Sequence, residues 1–133
     1  MASILKVDEL RGIVSAGDIT VTSEGGAATQ SLQQGLAKAW HNIVGTGTIS
    51  ISDALNVSSI SDLNTSVYQI NFSNNMSNAV YSAVLGSEIG GANGGFNGTA
   101  NITTSSFEHV AYTNGGALRD VNPAHGVVKG DLA

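Results

Sequence analysis

The sequence predicts a mainly β protein with three parts: an N-terminal extended arm over residues 1–28, one short α-helix over 29–44, and an antiparallel, jelly-roll-like β-sandwich over 45–133. Two observations carry this. The hydrophobic period changes once, from spacings of four, three and four at Leu32, Leu36, Ala39 and Ile43 to strict alternation at Ile49 and Ile51 and at Tyr68, Ile70 and Phe72. Beyond the change, Asn and Gly clusters recur at the spacing of about 8–12 residues that separates the short strands of sandwiches and barrels.

The arm carries Ile4, Leu5, Val7, Leu10, Ile13 and Val14, followed by a short alternating strand, Ile19-Thr20-Val21-Thr22. The stretches 15–18 and 24–26 read as turns. A segment this short has no core of its own, so its apolar side chains must dock, either on their own domain or on a neighbouring subunit. The sharper reading makes Ile4, Leu5, Val7, Leu10, Ile13, Ile19 and Val21 an anchor.

Thr29 is the expected N-cap of the helix. Leu32, Leu36, Ala39 and Ile43 then form one stripe, which also fits the a and d positions of under two heptads. Such a stripe does not hold chains together unaided, but it suits an interface in a homotrimer whose β-domains already associate. Trp40 ends the helix. Its expected role is a wedge fixing helix against sheet, with a binding-site aromatic as the alternative. Candidate strands follow at 48–52, 57–61, 67–72, 81–85, 101–104, 107–113 and 127–129. The Gly-rich stretch 90–98 is read as an exposed loop.

Composition narrows the function. Charged residues make up 11% of the chain and the net charge is −5, with Lys6, Arg11, Lys38, Arg119 and Lys129 all apart from one another. Binding to nucleic acid needs clustered cations and is not expected. No apolar run is long enough to span a bilayer, and the opening Met1–Asp8 has no apolar core of a secretory signal, so export by that route is not expected either. With no cysteine, neither disulfides nor thiolate metal sites contribute to stability.

Nothing in the spacing points to catalysis or a cofactor. His41, His109 and His125 are far apart in sequence, and Glu108 and His109, adjacent on a strand, face opposite ways. The carboxylates are scattered, GxSxG is absent, and no phosphate-loop lysine follows the glycines. Sequons begin at Asn56, Asn64, Asn71, Asn75, Asn97 and Asn101, which a chain rich in Asn, Ser and Thr produces by composition. The expectation is no enzyme, no metal and no cofactor.

The ordered segments Gly35-Leu36-Ala37-Lys38-Ala39-Trp40, Gly45-Thr46-Gly47-Thr48, Asn56-Val57-Ser58-Ser59-Ile60-Ser61-Asp62, Tyr68-Gln69-Ile70-Asn71-Phe72 and Met76-Ser77-Asn78-Ala79-Val80-Tyr81 resemble a module of small virion structural proteins, fibre or decoration, of marine tailed bacteriophages of the cyanophage and pelagiphage kind. The first eight residues and the closing Gly130-Asp131-Leu132-Ala133 are similar to the ends of such proteins, whereas His41-Asn42-Ile43-Val44 departs from a more aromatic continuation. The resemblance implies a virion component made in the host cytoplasm and placed on the particle's exterior, with the major capsid protein or a connector or tail protein as partner. It transfers no catalytic residue. Small size favours a capsid decoration or head-fibre protein attached by its arm. The alternative is a small tail-fibre or receptor- and carbohydrate-binding module facing a host surface glycan.

Overall fold

The structure is a computed structural model that describes residues 4–14, 19–88 and 95–133. Strands account for 51% of the chain and helix for 3%, so the mainly β prediction holds. The chain divides into two compact units, Met1–Leu36 and Ala37–Ala133, which places the boundary between the two that the sequence suggested, at 28/29 and 44/45.

In the first unit, β1 (Thr20–Thr22) pairs antiparallel with β2 (Thr29–Ser31), Val21 opposite Gln30. The helix follows directly as α1 (Leu32–Gly35) and is a single turn. Its N-cap is Ser31, whose hydroxyl accepts the Gln34 amide at 3.4 Å, and not Thr29, which lies in β2. Residues 4–14 form no helix or strand, and Ile4, Leu5, Ile13 and Val14 are 79%, 77%, 104% and 94% exposed, so their apolar surface is left unburied. The turn expected at 15–18 lies outside the described residues.

The predicted helix over 29–44 is therefore corrected: its second half is strand β3 (Ala39–Val44). A spacing of four is even, so Ala39 and Ile43 share one face of a strand as readily as one face of a helix. The choice falls to local preference. Trp40, Ile43 and Val44 are aromatic or β-branched and favour a pleated surface, and the single turn that does form, Leu32–Gly35, has no acidic residue in its first turn and no basic one in its last.

The second unit continues with β4 (Ser50–Leu55), β5 (Val57–Asn64), β6 (Val67–Phe72), β7 (Ser82–Ser87), β8 (Gly95–Ala100), β9 (Ser106–Thr113) and β10 (Ala124–Lys129). They build two four-stranded antiparallel sheets, ordered β4-β3-β10-β7 and β5-β6-β9-β8. Two expectations shift. Residues 101–104 are a turn, with Asn101 at φ 45° and the Thr103 amide donating to Ser106 O at 2.8 Å. The last part of the predicted glycine loop is edge strand β8, held by β9; residues 90–94 lie outside the described residues.

Between the sheets lies one apolar core. Ala39, Ile43, Ala124 and Val128 come from the first sheet, and Tyr68, Ile70, Phe72, Phe107 and Ala111 from the second. Full burial of each large side chain contributes about 1.5–3 kcal/mol before entropy is counted. Tyr68 also ties the layers by hydrogen bonds: its hydroxyl donates to Gly45 O at 2.7 Å and accepts from the Val121 amide at 3.2 Å. A Cβ on Gly45 would sit 2.6 Å from that hydroxyl, so only glycine lets the chain pass there. Among the described residues no helix is long and apolar enough to cross a membrane.

Candidate functional site

Strand alternation sorts the first sheet into an inner and an outer face. Ala39, His41 and Ile43 point inward; Trp40, Asn42 and Val44, on the same strand, point outward and are half-buried. Register then aligns neighbours across the sheet. Trp40 stands opposite Leu55 and Val127, and Val127 opposite Val84. This makes an apolar row across all four strands, open to solvent, with Leu55 47% and Val84 68% exposed. Two residues along, Asp53, Asn42, His125 and Gly86 form a parallel polar row.

Two glycines act here, Gly86 on the outer face beside His125 and Gly126 on the inner face beside His41 and Leu85. A Cβ on Gly86 would lie 2.6 Å from His125 Nε2, so the imidazole lies across the bare backbone. A Cβ on Gly126 would lie 2.8 Å from His41 Cε1 and 2.5 Å from Leu85 Cδ2, so that position makes room for both side chains. The result is an open groove of about 470 Å³ over β3, β7 and β10, with Trp40, Val84, Val127, Asn42 and His125 on its sides.

Beneath it runs a buried polar chain between the sheets. His41 Nε2 is 3.0 Å from His109 Nδ1, and His109 Nε2 is 2.9 Å from Asn97 Oδ1. An amide oxygen only accepts, so His109 Nε2 carries its proton; the bare Nδ1 of the neutral ring then accepts from His41 Nε2–H. The two rings meet nearly edge-on, with centroids 5.3 Å apart. Burial lowers His41 to a pKa of about 4, helped by the charge of His125. His109 is lowered to about 3, by burial first and then by His41 and His125. Both are thus neutral near pH 7 and act as a cross-sheet hydrogen bond. Among the described residues, no three His, Cys, Asp or Glu side chains are placed to hold a metal ion.

The residues singled out in the sequence are dispersed. Ala39 and Ile43 are 1% and 0% exposed inside the sandwich's own core, so the expected trimer interface with Leu32 and Leu36 does not exist as a stripe. Only Leu36, 54% exposed, and the partly exposed Leu32 remain outside. Trp40 does not wedge a helix against a sheet; it stands on the outer face of a strand. The anchor residues Ile4, Leu5, Val7, Leu10, Ile13, Ile19 and Val21 all lie in the first unit.

The histidine pair and the groove were missed because they join residues distant in sequence, His41 to His109 across 68 positions and Val84 to Val127 across 43, on strands whose partners the sequence does not name. The one local signal was the alternation of Trp40, His41 and Asn42. Of the sequon asparagines, Asn56 clasps Asn74 (Oδ1 to the amide, 2.6 Å), Asn101 Nδ2 donates to Glu108 at 2.7 Å, and Asn97 holds His109. Their side chains have structural duties. Comparison with protein-family models, with curated proteins and with solved structures finds no match to this chain.

Proposed function

We propose that this chain is a structural protein of a tailed-phage virion, most simply a capsid decoration or head-fibre protein, attached through its N-terminal arm and carrying the sandwich on the particle's exterior. One observation supports it above the rest. The first unit has no buried residue among those described and exposes Ile4, Leu5, Val7, Leu10, Ile13, Val14, Val21 and Leu36, while the second unit, which also exposes Leu55, Val84 and Phe96 among others, encloses an apolar core. Eight exposed large apolar residues in a segment without a core stand as unfinished burial, and a partner surface completes it. The partner in this reading is the major capsid protein or a connector. Strand β1 gives the arm backbone groups for pairing with an exposed sheet edge.

Self-association as a trimer belongs to the same proposal, but it now rests on Leu32, Leu36 and the arm, since Ala39 and Ile43 are committed to the core. Cosedimentation with purified phage particles tests the attachment. The chain lacking residues 1–26 should stay folded and no longer sediment with particles, and Leu5→Asp with Val7→Asp should weaken binding in the full chain. Equal binding by the truncated chain would reverse the proposed polarity.

A further inference from the structure

The outer face of the first sheet has a chemical pattern that attachment through the arm does not use. We propose that the groove over β3, β7 and β10 binds a neutral polysaccharide, with a sugar ring laid on Trp40 and its hydroxyls meeting Asn42 and His125. This goes beyond the proposed attachment and stands or falls separately from it.

The argument starts from the two rows. The apolar row Leu55–Trp40–Val127–Val84 crosses four strands and so runs about 14 Å, three inter-strand steps. The polar row containing Asn42 and His125 runs beside it, two residues or about 7 Å along the strands. A pyranose has the same division: one face of C–H groups and a rim of hydroxyls that both donate and accept. The C–H face desolvates an indole as an aliphatic group would, and the rim meets an amide and an imidazole, which together offer donors and an acceptor.

Two further observations narrow the ligand. Neither Asn42 nor His125 makes a side-chain hydrogen bond to another of the described residues, so their polar atoms are free for a ligand. The groove's lining contains no Lys, Arg, Asp or Glu, and Asp53 stands beside Asn42 just outside it, so a phosphate, sulfate or uronate meets no guanidinium or ammonium group, only the His125 imidazole and a neighbouring carboxylate that repels it. A purely apolar ligand would cover Asn42 and His125 without satisfying them, at a desolvation cost. The groove is open rather than enclosed, and its apolar row reaches both edge strands of the sheet, which suits a chain that continues past the site.

Trp40 is the only tryptophan, so its fluorescence reports the site directly in the full-length protein. The probes are cellotetraose, maltotetraose and N-acetylchitotetraose, with trigalacturonate as the acidic comparison. At least one neutral tetrasaccharide should give a saturable blue shift. Asn42→Ala and Leu55→Asp, both on the surface, should weaken it about tenfold or more while leaving the circular dichroism spectrum and thermal midpoint unchanged. No saturable shift with any neutral probe up to about 10 mM would overturn the proposal. So would equal binding by Asn42→Ala, or trigalacturonate binding as tightly as the best neutral sugar. Particle cosedimentation is read independently, so failure here leaves the attachment proposal where it stood, and the reverse.

Discussion

His41 and His109 tie the two sheets together through neutral imidazoles, and that makes stability depend on acid. The unfolded chain holds these side chains near their ordinary pKa of 6.5, whereas in the folded chain they titrate at about 4 and about 3. Between those limits the unfolded state binds more protons, so stability is fully present above pH 6.5 and declines as pH falls toward 3. Each tenfold mismatch in proton affinity is worth about 1.4 kcal/mol, so the loss amounts to several kcal/mol. Urea unfolding at pH 7, 5 and 4 should show it, with the slope flattened in the double variant His41→Leu, His109→Leu. The single variant His109→Leu should cost about 1–3 kcal/mol, because it leaves the buried His41 N–H without its acceptor. None of this was legible in the sequence, where the histidines stand 68 and 16 positions apart with nothing to join them. Gly126 is similar: its need to be glycine arises from His41 and Leu85 beneath it, and Gly126→Ala should lower the thermal midpoint through overpacking worth about 1–3 kcal/mol.

At the scale of elements, the segment from Leu32 to Val44 shows how a spacing of four misleads. It satisfies helix and strand alike, and the deciding information was the alternation of Ala39, His41 and Ile43 with Trp40, Asn42 and Val44. The two readings make opposite predictions for a pair of substitutions. A helical stripe makes Leu36→Asp and Ile43→Asp equivalent. In the observed fold Leu36 is 54% exposed and Ile43 fully buried. Leu36→Asp should therefore change the stability of the single folded chain by no more than about 0.5 kcal/mol, any larger effect falling on self-association, while Ile43→Asp should cost about 4 kcal/mol or more by placing a carboxylate in the core. Thermal denaturation of both variants checks this. Strand β6 was readable because Tyr68, Ile70 and Phe72 alternate with Gln69 and Asn71, and those three are 0%, 0% and 6% exposed. Strand β8 was not, because Gly95, Gly98 and Asn97 have low strand preference; its order comes from six paired positions along β9.

At the scale of the whole molecule, the class was legible and the topology was not. Turn residues at regular intervals, few charges and alternating strands point to a sandwich, but a pattern of inward residues does not say which strand lies beside which. Here β3 pairs with β10, the last strand, some 80 residues on. Closing that pair requires nearly the full second unit to be in place, and such non-local contacts slow folding. The sandwich should fold in a single cooperative step on a timescale of milliseconds to seconds. Stopped-flow Trp40 fluorescence should show one phase that is lost altogether in a chain ending before Ala124.

The neighbourhood of β3 and β10 also has a mechanical meaning. The arm leads into the sandwich at Ala39, which lies opposite Val128 at the end of the chain's last strand. Tension between the arm and the C-terminus first frees the tail from residues 75–77, where the Ser77 amide donates to Asp131 O and the Ala133 amide to Asn75 O, and then pulls two paired ends apart and opens that ladder one hydrogen-bonded pair after another. Tension between the arm and the far end of the sheet, for instance at the exposed Glu88 that follows β7, acts along the strands instead. Strand β3 is held by β4 on one side and β10 on the other, so both ladders must then shear together. Rupture is governed by the unfolding barrier in each direction. Optical-tweezers measurements should find a clearly higher force through a handle at Glu88→Cys than through one at the C-terminus: the sandwich is strong against drag on its far end and weak against a tug on its own tail.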